Sequence, residues 1–317
     1  MDPTPRPAMA WAARAVAAVS LGIVAWACLT AWPAVVGGHP LYAVMLVLTA
    51  VVGLAVAGLS FVPRAARPSS TWRRLGRVAL GVVATSWLVL VAWLRPFPAI
   101  DPAPAAMVSD GAVTVTRTAT RIELAPTAGP VTTGLVLQPG AKVEARAYAA
   151  VLRPLAEAGV LVVVPQQPAG IAFLATGAFE AARTAHPEIA RWVVGGHSLG
   201  GTVAAMDADA HDADAEAPVV GLLLWASYPA DDLSTTLTAA VLSLSASEDG
   251  LATPAAIEAS RTDLPTGATF TVVEGASHAS FGDYGPQPGD GTPTIDADDA
   301  RAQISAASVA FLTALAH

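Results

Sequence analysis

The chain has 317 residues, of which 54% are hydrophobic and only 13% are charged, so it is too apolar for one ordinary soluble domain of this length. Residues 1–95 contain eight arginines and one acid, which leaves 9 of the 17 basic and 24 of the 25 acidic residues for the rest of the chain. This acidic excess argues against a nucleic-acid partner, because phosphate binding requires clustered Lys and Arg. The lone cysteine, Cys28, excludes an intramolecular disulfide and a cysteine metal cluster.

Three apolar segments at 15–32, 41–62 and 78–94 predict a membrane anchor over residues 1–95. The middle segment has 22 residues and no charge, and about 20 apolar residues cross a bilayer as a helix. A cleaved signal peptide is the competing interpretation of the first segment, but the two further segments favour an anchor.

The arginines predict the orientation of this anchor. Five lie between the second and third segments and none between the first and second. Because cytoplasmic loops are enriched in Lys and Arg, the basic loop is expected in the cytoplasm and the chain after residue 95 outside the cell membrane.

Residues 96–111 are rich in proline and alanine, which predicts a stiff, extended linker before a domain at 112–317. In that domain short β-branched runs alternate with alanine-rich helical stretches. Continuous apolar strands separated by helices indicate an α/β fold with a mostly parallel sheet covered on both faces. The stretch "VTVTRTATRIELAP" predicts an antiparallel pair at the sheet edge. We predict the other strands at 133–140, 160–166, 191–196, 219–227, 240–247 and 268–275.

The segment Gly196-His197-Ser198-Leu199-Gly200 follows a predicted strand and precedes a predicted helix. This G-x-S-x-G pattern is typical of the nucleophile elbow, a sharp turn that exposes a reactive serine and leaves no room for side chains two positions to either side. A purely structural glycine turn is the alternative, and the presence of catalytic partners must decide between them.

A reactive serine needs a base and an orienting acid, and three histidines follow Ser198. His211 lies in the acidic end of the elbow helix and His317 is the last residue, so the position of His278 after a strand makes it the predicted base. For the acid, Asp249 is preferred and Glu248 is an alternative. Asp231 and Asp232 are a second possible source, whereas Asp283 is interpreted as a loop-shaping residue.

The oxyanion hole is expected to combine the backbone N–H of Leu199 with that of Ala141, where Gly140 permits a close approach. For Lys142 two interpretations stay open: an incidental surface residue, or a cation that adds positive potential near the hole. Gln166 and Gln167 are expected to orient a polar group of the substrate, and Phe173 to contact an acyl chain. This chemistry requires neither a metal nor an organic cofactor.

Residues 112–317 contain the stretches "QPGAKVEARAYAAVLRPLAEAGVLVVVP", "HPEIARWVVGGHSLGG", "LLLWASYPADDLS", "SASEDGLATP" and "EGASHASFGDYGPQPGDG". Through these stretches the region resembles the α/β-hydrolase fold family, specifically small membrane-tethered bacterial serine hydrolases. The resemblance implies that Ser198 is the nucleophile, Asp249 the acid and His278 the base. The chain is also similar to dienelactone-hydrolase relatives, but those use a cysteine nucleophile, so lactone chemistry is not implied. No long insertion separates the strands at 219–227 and 240–247, so no large cap is expected.

The sequence therefore predicts a hydrolase of carboxylic esters, held at the outer face of the membrane and acting on a small-molecule substrate. The bilayer is its expected partner, and no obligate protein partner is implied. An amidase or an acyltransferase would use the same three residues. A membrane-anchored binding protein that retains the scaffold without catalysis is the remaining alternative.

Overall fold

The computed structural model of the chain describes residues 7–62 and 70–315. The chain divides into two compact units, Met1–Arg95 and Pro96–His317. Three helices make up the described part of the first unit, and each is long and apolar enough to cross a membrane. They are α1 (Pro7–Gly37), α2 (Pro40–Ser60) and α3 (Thr71–Trp93).

α1 and α3 are longer than the apolar segments from which they were predicted, whereas α2 nearly coincides with its segment. The backbone of α1 departs from helical geometry at Ala31, two residues before Pro33, because a proline inside a helix removes a hydrogen bond and collides with the preceding turn. α3 begins seven residues before the predicted segment, since Ser70 caps its first turn and the first turns carry arginines that apolar periodicity does not detect. Residues 63–69, with two arginines of the predicted basic loop, lie outside the described residues.

Polar contacts join the three helices. The indole N–H of Trp87 donates to Thr49 Oγ1 at 2.9 Å, and the hydroxyl of Tyr42 donates to the carbonyl of Val91 at 3.0 Å. Arg95 donates to Thr30 Oγ1 at 2.7 Å. Such bonds satisfy polar groups that lipid cannot, and the outward-facing apolar side chains remain exposed, as is typical of helices that a bilayer surrounds.

The second unit is built on an eight-stranded sheet in the order β1-β2-β4-β3-β5-β6-β7-β8. β1 and β2 pair antiparallel, and so do β2 and β4, whereas the other neighbours are parallel. The predicted mostly parallel sheet with an antiparallel edge pair is confirmed. Its strands are β1 (Val113–Arg117), β2 (Arg121–Pro126), β3 (Thr133–Gln138), β4 (Leu161–Pro165), β5 (Arg191–His197), β6 (Val219–Trp225), β7 (Ala240–Ala246) and β8 (Thr269–Val273).

Helices cover both faces of this sheet. Successive strand residues point to opposite faces, so Leu135 joins one buried apolar cluster and Val136 the other. Residues 226–239, between β6 and β7, form neither helix nor strand, so no cap helix is inserted there. The helices of this unit are α4 (Ala103–Ala106), α5 (Ala149–Glu157), α6 (Ala178–Ala185), α7 (Leu199–His211), α8 (Pro254–Ala259) and α9 (Ala297–Leu315).

Residues 96–111 are not the extended spacer that their composition predicts. Phe97 exchanges backbone hydrogen bonds with Lys142 and Glu144, and the amide of Ile100 donates to the carbonyl of Asp283 at 2.8 Å. Ala103 is fully buried. Because an extended chain has unpaired backbone groups, this segment pairs with the loop after β3 and becomes part of the domain, which therefore begins before residue 112.

Candidate active site

Ser198 occupies a strained turn between β5 and α7. Its φ of 52° and ψ of −127° are costly for a residue with a side chain, so the surrounding structure must maintain them. The amide of Ser198 donates to the carbonyl of Trp225 at 3.0 Å, and Ser227 Oγ donates to the carbonyl of Ser198 at 2.6 Å. Neighbouring strand β6 and the loop after it thus hold the turn in place.

The two flanking glycines have no room for a side chain. A Cβ atom at Gly196 would lie 2.2 Å from the carbonyl carbon of Gly200, and one at Gly200 would lie 2.1 Å from the carbonyl oxygen of Gln138. These atoms belong to backbone and cannot rotate away. The spacing of the motif therefore has a steric cause, and it packs the start of α7 directly against the end of β3.

His278 and Asp249 form a buried hydrogen-bonded pair. The imidazole Nδ1 lies 2.8 Å from Asp249 Oδ2, and both side chains are almost completely buried. The other oxygen of Asp249 accepts hydrogen bonds from the amides of Leu251 at 2.7 Å and Ala252 at 2.8 Å. Because a carboxylate only accepts, Nδ1 carries the proton and Nε2 is left with its lone pair.

The Nε2 atom of His278 has no hydrogen-bond partner among the described residues. The centre of the His278 ring lies 4.5 Å from that of the His197 ring, and His197 is the residue before Ser198. The structure therefore brings the imidazole beside the turn, although no hydrogen bond joins it to Ser198 in the described part of the chain. A base can serve its nucleophile without such a bond beforehand, because catalytic hydrogen bonds tighten in the complex with substrate.

The carboxylates of the alternative acids bind partners other than His278. Glu248 is exposed and accepts a hydrogen bond from Ser247 Oγ at 3.1 Å. Asp232 accepts from the amide of Ser234 in an exposed turn. Asp283 binds Arg301 at 2.9 Å, which agrees with its interpretation as a loop-shaping residue.

The second candidate histidine, His211, has other partners. His211 Nδ1 lies 3.1 Å from Asp214 Oδ2, within an ion cluster that includes Arg183. His317 lies outside the described residues. In the segments that the structure describes, no group of three or more His, Cys, Asp or Glu side chains is arranged to hold a metal ion.

The loop after β3 presents backbone amides to the site. The amide of Gly140 donates to the hydroxyl of Tyr148 at 2.9 Å, and that of Lys142 donates to the carbonyl of Gly170 at 2.6 Å. Between them, the amide of Ala141 takes no partner within the described ranges. Leu199 is the first residue of α7, and helix-starting amides have no partner inside their helix. These two amides are the candidate oxyanion donors.

Gly140 and Lys142 have structural surroundings that the sequence did not reveal. A Cβ at Gly140 would lie 2.8 Å from His197 Nδ1, so the close approach is to a buried ring. Lys142 adopts a positive φ of 63°, and its ammonium lies 5.1 Å from the ring centre of Phe97. This cation–π contact directs the charge of Lys142 towards residues 96–111.

The Oε1 atoms of Gln166 and Gln167, which are expected to orient a polar group of the substrate, have no hydrogen-bond partner among the described residues. Both are buried, and their amides hold loops together. Gln167 Nε2 donates to Gln138 Oε1 and to the carbonyl of Pro139, both at 3.0 Å, while Gln166 Nε2 donates to the carbonyl of Thr118. Phe173, in contrast, is 46% exposed and remains available to a substrate.

Asp290 is a functional candidate that the sequence reasoning missed. Its carboxylate accepts from the amides of Gly250 at 3.2 Å, His278 at 3.1 Å and Ala279 at 2.8 Å. It thereby connects the loop after β7 that contains Asp249 (the acid loop) to the loop after β8 that contains His278 (the histidine loop). Burial acts to raise the pKa of Asp290, but these amides outweigh it and lower the pKa. The available signal was an isolated carboxylate in the glycine- and proline-rich stretch "GPQPGDG".

Comparison with known proteins locates this site within a family. The model of a family described as "Alpha/beta hydrolase family" matches residues 134–302, which is more than half of the chain. The match extends from β3 into α9 and contains the strained serine and the buried acid–histidine pair. No curated protein matches the chain.

Proposed function

The chain belongs to the alpha/beta hydrolase family, and from that premise we propose that it cleaves carboxylic esters with Ser198, His278 and Asp249. The observation that carries the proposal is the 2.8 Å pair of His278 and Asp249 beside the strained turn of Ser198. A scaffold kept only for binding would not need a serine at a φ of 52°. The geometry therefore favours catalysis over a silent binding protein.

The proposed reaction is acyl transfer to water. Ser198 Oγ attacks the ester carbonyl while His278 Nε2 takes its proton, and the amides of Leu199 and Ala141 hold the tetrahedral oxyanion. The C–O bond of the alcohol then breaks, and His278 protonates the leaving alkoxide oxygen. A water molecule, deprotonated by His278, then attacks the acyl-enzyme. The bond between the acyl carbon and Ser198 Oγ breaks, His278 returns the proton to Oγ, and the acid is released. Asp249 keeps the proton on Nδ1 throughout.

The surroundings of the turn support an apolar group on the ester. Phe173 and Leu174 follow β4, Tyr228 follows β6 and Leu251 follows β7, and all four are exposed. Ligands of open α/β sheets bind at the carboxyl ends of the strands, which is where these loops lie. Exposed apolar side chains on loops at this edge are typical of a binding surface. We propose that they contact the acyl chain.

The decisive experiment compares an ester and an amide with the same acyl group, p-nitrophenyl butyrate and butyryl p-nitroanilide. The full chain in membranes is expected to hydrolyse the ester faster, and Ser198→Ala and His278→Ala are expected to abolish turnover. Ser234→Ala and His211→Ala serve as matched controls that retain it. Faster amide cleavage would identify an amidase, and full activity in Ser198→Ala would refute the proposal.

We also propose that the hydrolase domain lies outside the cytoplasmic membrane, on the basis of the arginine distribution. Protease added to intact cells is expected to release the domain. Complete protection in intact cells, with cleavage after lysis, would reverse the orientation.

A further inference from the structure

We propose that Tyr148 and His197 are positioning residues. They connect the loop after β3, which contains the candidate oxyanion donor Ala141, to the imidazole of His278. The inference rests on the proposed function, because it assigns these two buried side chains a part in stabilising the transition state at Ser198. Neither side chain contacts the reacting atoms directly. They act through the direction of the Ala141 amide and through the position of the base.

The hydrogen bonds of Tyr148 indicate which group donates between its hydroxyl and His197. Its hydroxyl oxygen accepts from the amide of Gly140 at 2.9 Å and lies 2.8 Å from His197 Nδ1. The backbone N–H can only donate, so the hydroxyl proton remains for His197 Nδ1. The opposite tautomer would leave two buried groups unpaired among the described residues, the hydroxyl proton of Tyr148 and the Nε2 lone pair of His197. The tautomer with the proton on Nε2 leaves only that N–H unpaired. His197 therefore accepts at Nδ1 and carries its own proton on Nε2.

His197 is completely buried, and its ring packs among the rings of other residues at the site. Its ring lies 4.5 Å from that of His278, 5.7 Å from that of Phe281 and 6.2 Å from that of Tyr284, measured between centroids. Burial, and then the charge of His278, lower the pKa of His197 well below its usual range, while the backbone carbonyl of His278 acts in the opposite direction. His197 thus stays neutral next to a base that becomes positive during the reaction.

The loop with the second oxyanion donor is fixed on both sides of Ala141. The Gly140 amide is held by Tyr148 and the Lys142 amide by Gly170, so the intervening peptide has little freedom to turn. Oxyanion donors contribute only when they already point at the position where charge develops. Tyr148 therefore sets the direction of the Ala141 amide, and His197 sets the position of Tyr148.

The test is a tyrosine-to-phenylalanine pair in the full chain, assayed with p-nitrophenyl butyrate. Tyr148→Phe removes the hydroxyl and keeps the ring. Tyr284→Phe is the matched control, because Tyr284 is also buried and close to His197 but donates its hydroxyl hydrogen bond to Gln287. We expect Tyr148→Phe to lower kcat by about 10-fold, less than the loss of a whole oxyanion donor, with KM within about 2-fold of the parent. Tyr284→Phe is expected to resemble the parent.

A second pair keeps the proposal testable if Tyr148→Phe fails to fold. His197→Asn retains an oxygen that accepts from the Tyr148 hydroxyl, whereas His197→Leu has a similar volume and no acceptor. We expect the asparagine variant to retain a kcat several-fold higher than the leucine variant at equal thermal stability.

Three outcomes would overturn this inference while leaving the proposed function intact. These are a parent-like kcat in Tyr148→Phe, equal losses in Tyr148→Phe and Tyr284→Phe, and equal activity of the two His197 variants. In each, Ser198→Ala would still be inactive. Activity in Ser198→Ala would instead refute the proposed function itself, so the two failures are distinguishable.

Discussion

The Nδ1 atom of His278 lies 2.8 Å from the Oδ2 atom of Asp249, although the two residues are 29 positions apart in the chain. They meet because β7 and β8 are parallel neighbours whose carboxyl ends share one edge of the sheet. The second oxygen of Asp249 is occupied by its own loop, so a single oxygen faces the imidazole. Because this oxygen only accepts, it keeps the ring proton on Nδ1 and leaves Nε2 free to act as a general base.

Asp249→Asn is therefore expected to lower kcat by about 10⁴-fold, the size seen when a triad aspartate is replaced in this way. The amide nitrogen of asparagine would donate to Nδ1 and force the ring proton onto Nε2, where it blocks proton transfer from Ser198. Glu248→Gln is the neighbouring control and is expected to retain activity. Hydrolysis of p-nitrophenyl butyrate measures both. A reversed order of the two variants would make Glu248 the acid.

The glycines beside Ser198 provide a steric prediction. Gly196→Ala and Gly200→Ala place a Cβ within 2.2 Å and 2.1 Å of backbone atoms, so each is expected to abolish activity and to lower the yield of folded protein. Gly177→Ala is the control, because a Cβ at Gly177 would meet nothing within 4 Å and its φ of −86° suits alanine. Expression and thermal unfolding midpoints test the set. Normal folding and activity in Gly200→Ala would contradict the packing of α7 on β3.

Asp290→Asn is expected to weaken the link between the acid loop and the histidine loop. The variant loses charge-assisted bonds to backbone amides, which lowers the free energy of unfolding by about 1–3 kcal/mol and lowers kcat as the pair loosens. Asp231→Asn, in an exposed turn, is the control. Because the pKa of Asp290 is lower in the folded protein than the unfolded value of 3.8, its contribution is present above about pH 4 and is lost as pH falls further. Denaturant unfolding at pH 7 and below pH 4 checks the loss of stability and its pH dependence. Equal stability of parent and variant at pH 7 would exclude a stabilising role for Asp290.

Asp207, on the helix that follows Ser198, is expected to destabilise the protein at neutral pH. Burial, and then the charge of Glu180, raise its pKa to about 7, and its Oδ2 has no partner among the described residues. Between about pH 4 and pH 7 the folded state holds a proton that the unfolded state has lost, so stability decreases as pH rises through this range.

Asp207→Asn removes that penalty. The variant is expected to exceed the parent in thermal midpoint at pH 8 by several degrees and to match it near pH 4. Asp209→Asn, an exposed acid on the same helix, is expected to show no such pH-dependent gain. An equal gain for Asp207→Asn at both pH values would show that proton binding by Asp207 is not the cause.

The alternation of apolar strands with helices was sufficient to predict the parallel sheet and the position of Ser198 after β5. This succeeds because a strand buried on both faces must be apolar throughout, and such runs are visible in the sequence. The pairing of His278 with Asp249 was also accessible, since strand ends in a parallel sheet lie on one edge. Those are properties of local pattern and topology.

Other features depend on tertiary contacts that no local pattern contains. Proline and alanine in residues 96–111 indicated a spacer, but their backbone groups pair with the loop after β3. Gln166 and Gln167 follow a strand at the functional edge, yet their amides point into loops. Asp290 was overlooked because its partners are backbone amides distant in sequence. In each case, contacts with segments distant in the chain decided the role.

Covalent labelling of the full chain with a fluorophosphonate, followed by peptide mass spectrometry, shows directly whether Ser198 is the nucleophile. We expect a single phosphonylated residue, Ser198, and loss of labelling in both Ser198→Ala and His278→Ala. Labelling at another residue, or unchanged labelling in Ser198→Ala, would contradict the proposed chemistry.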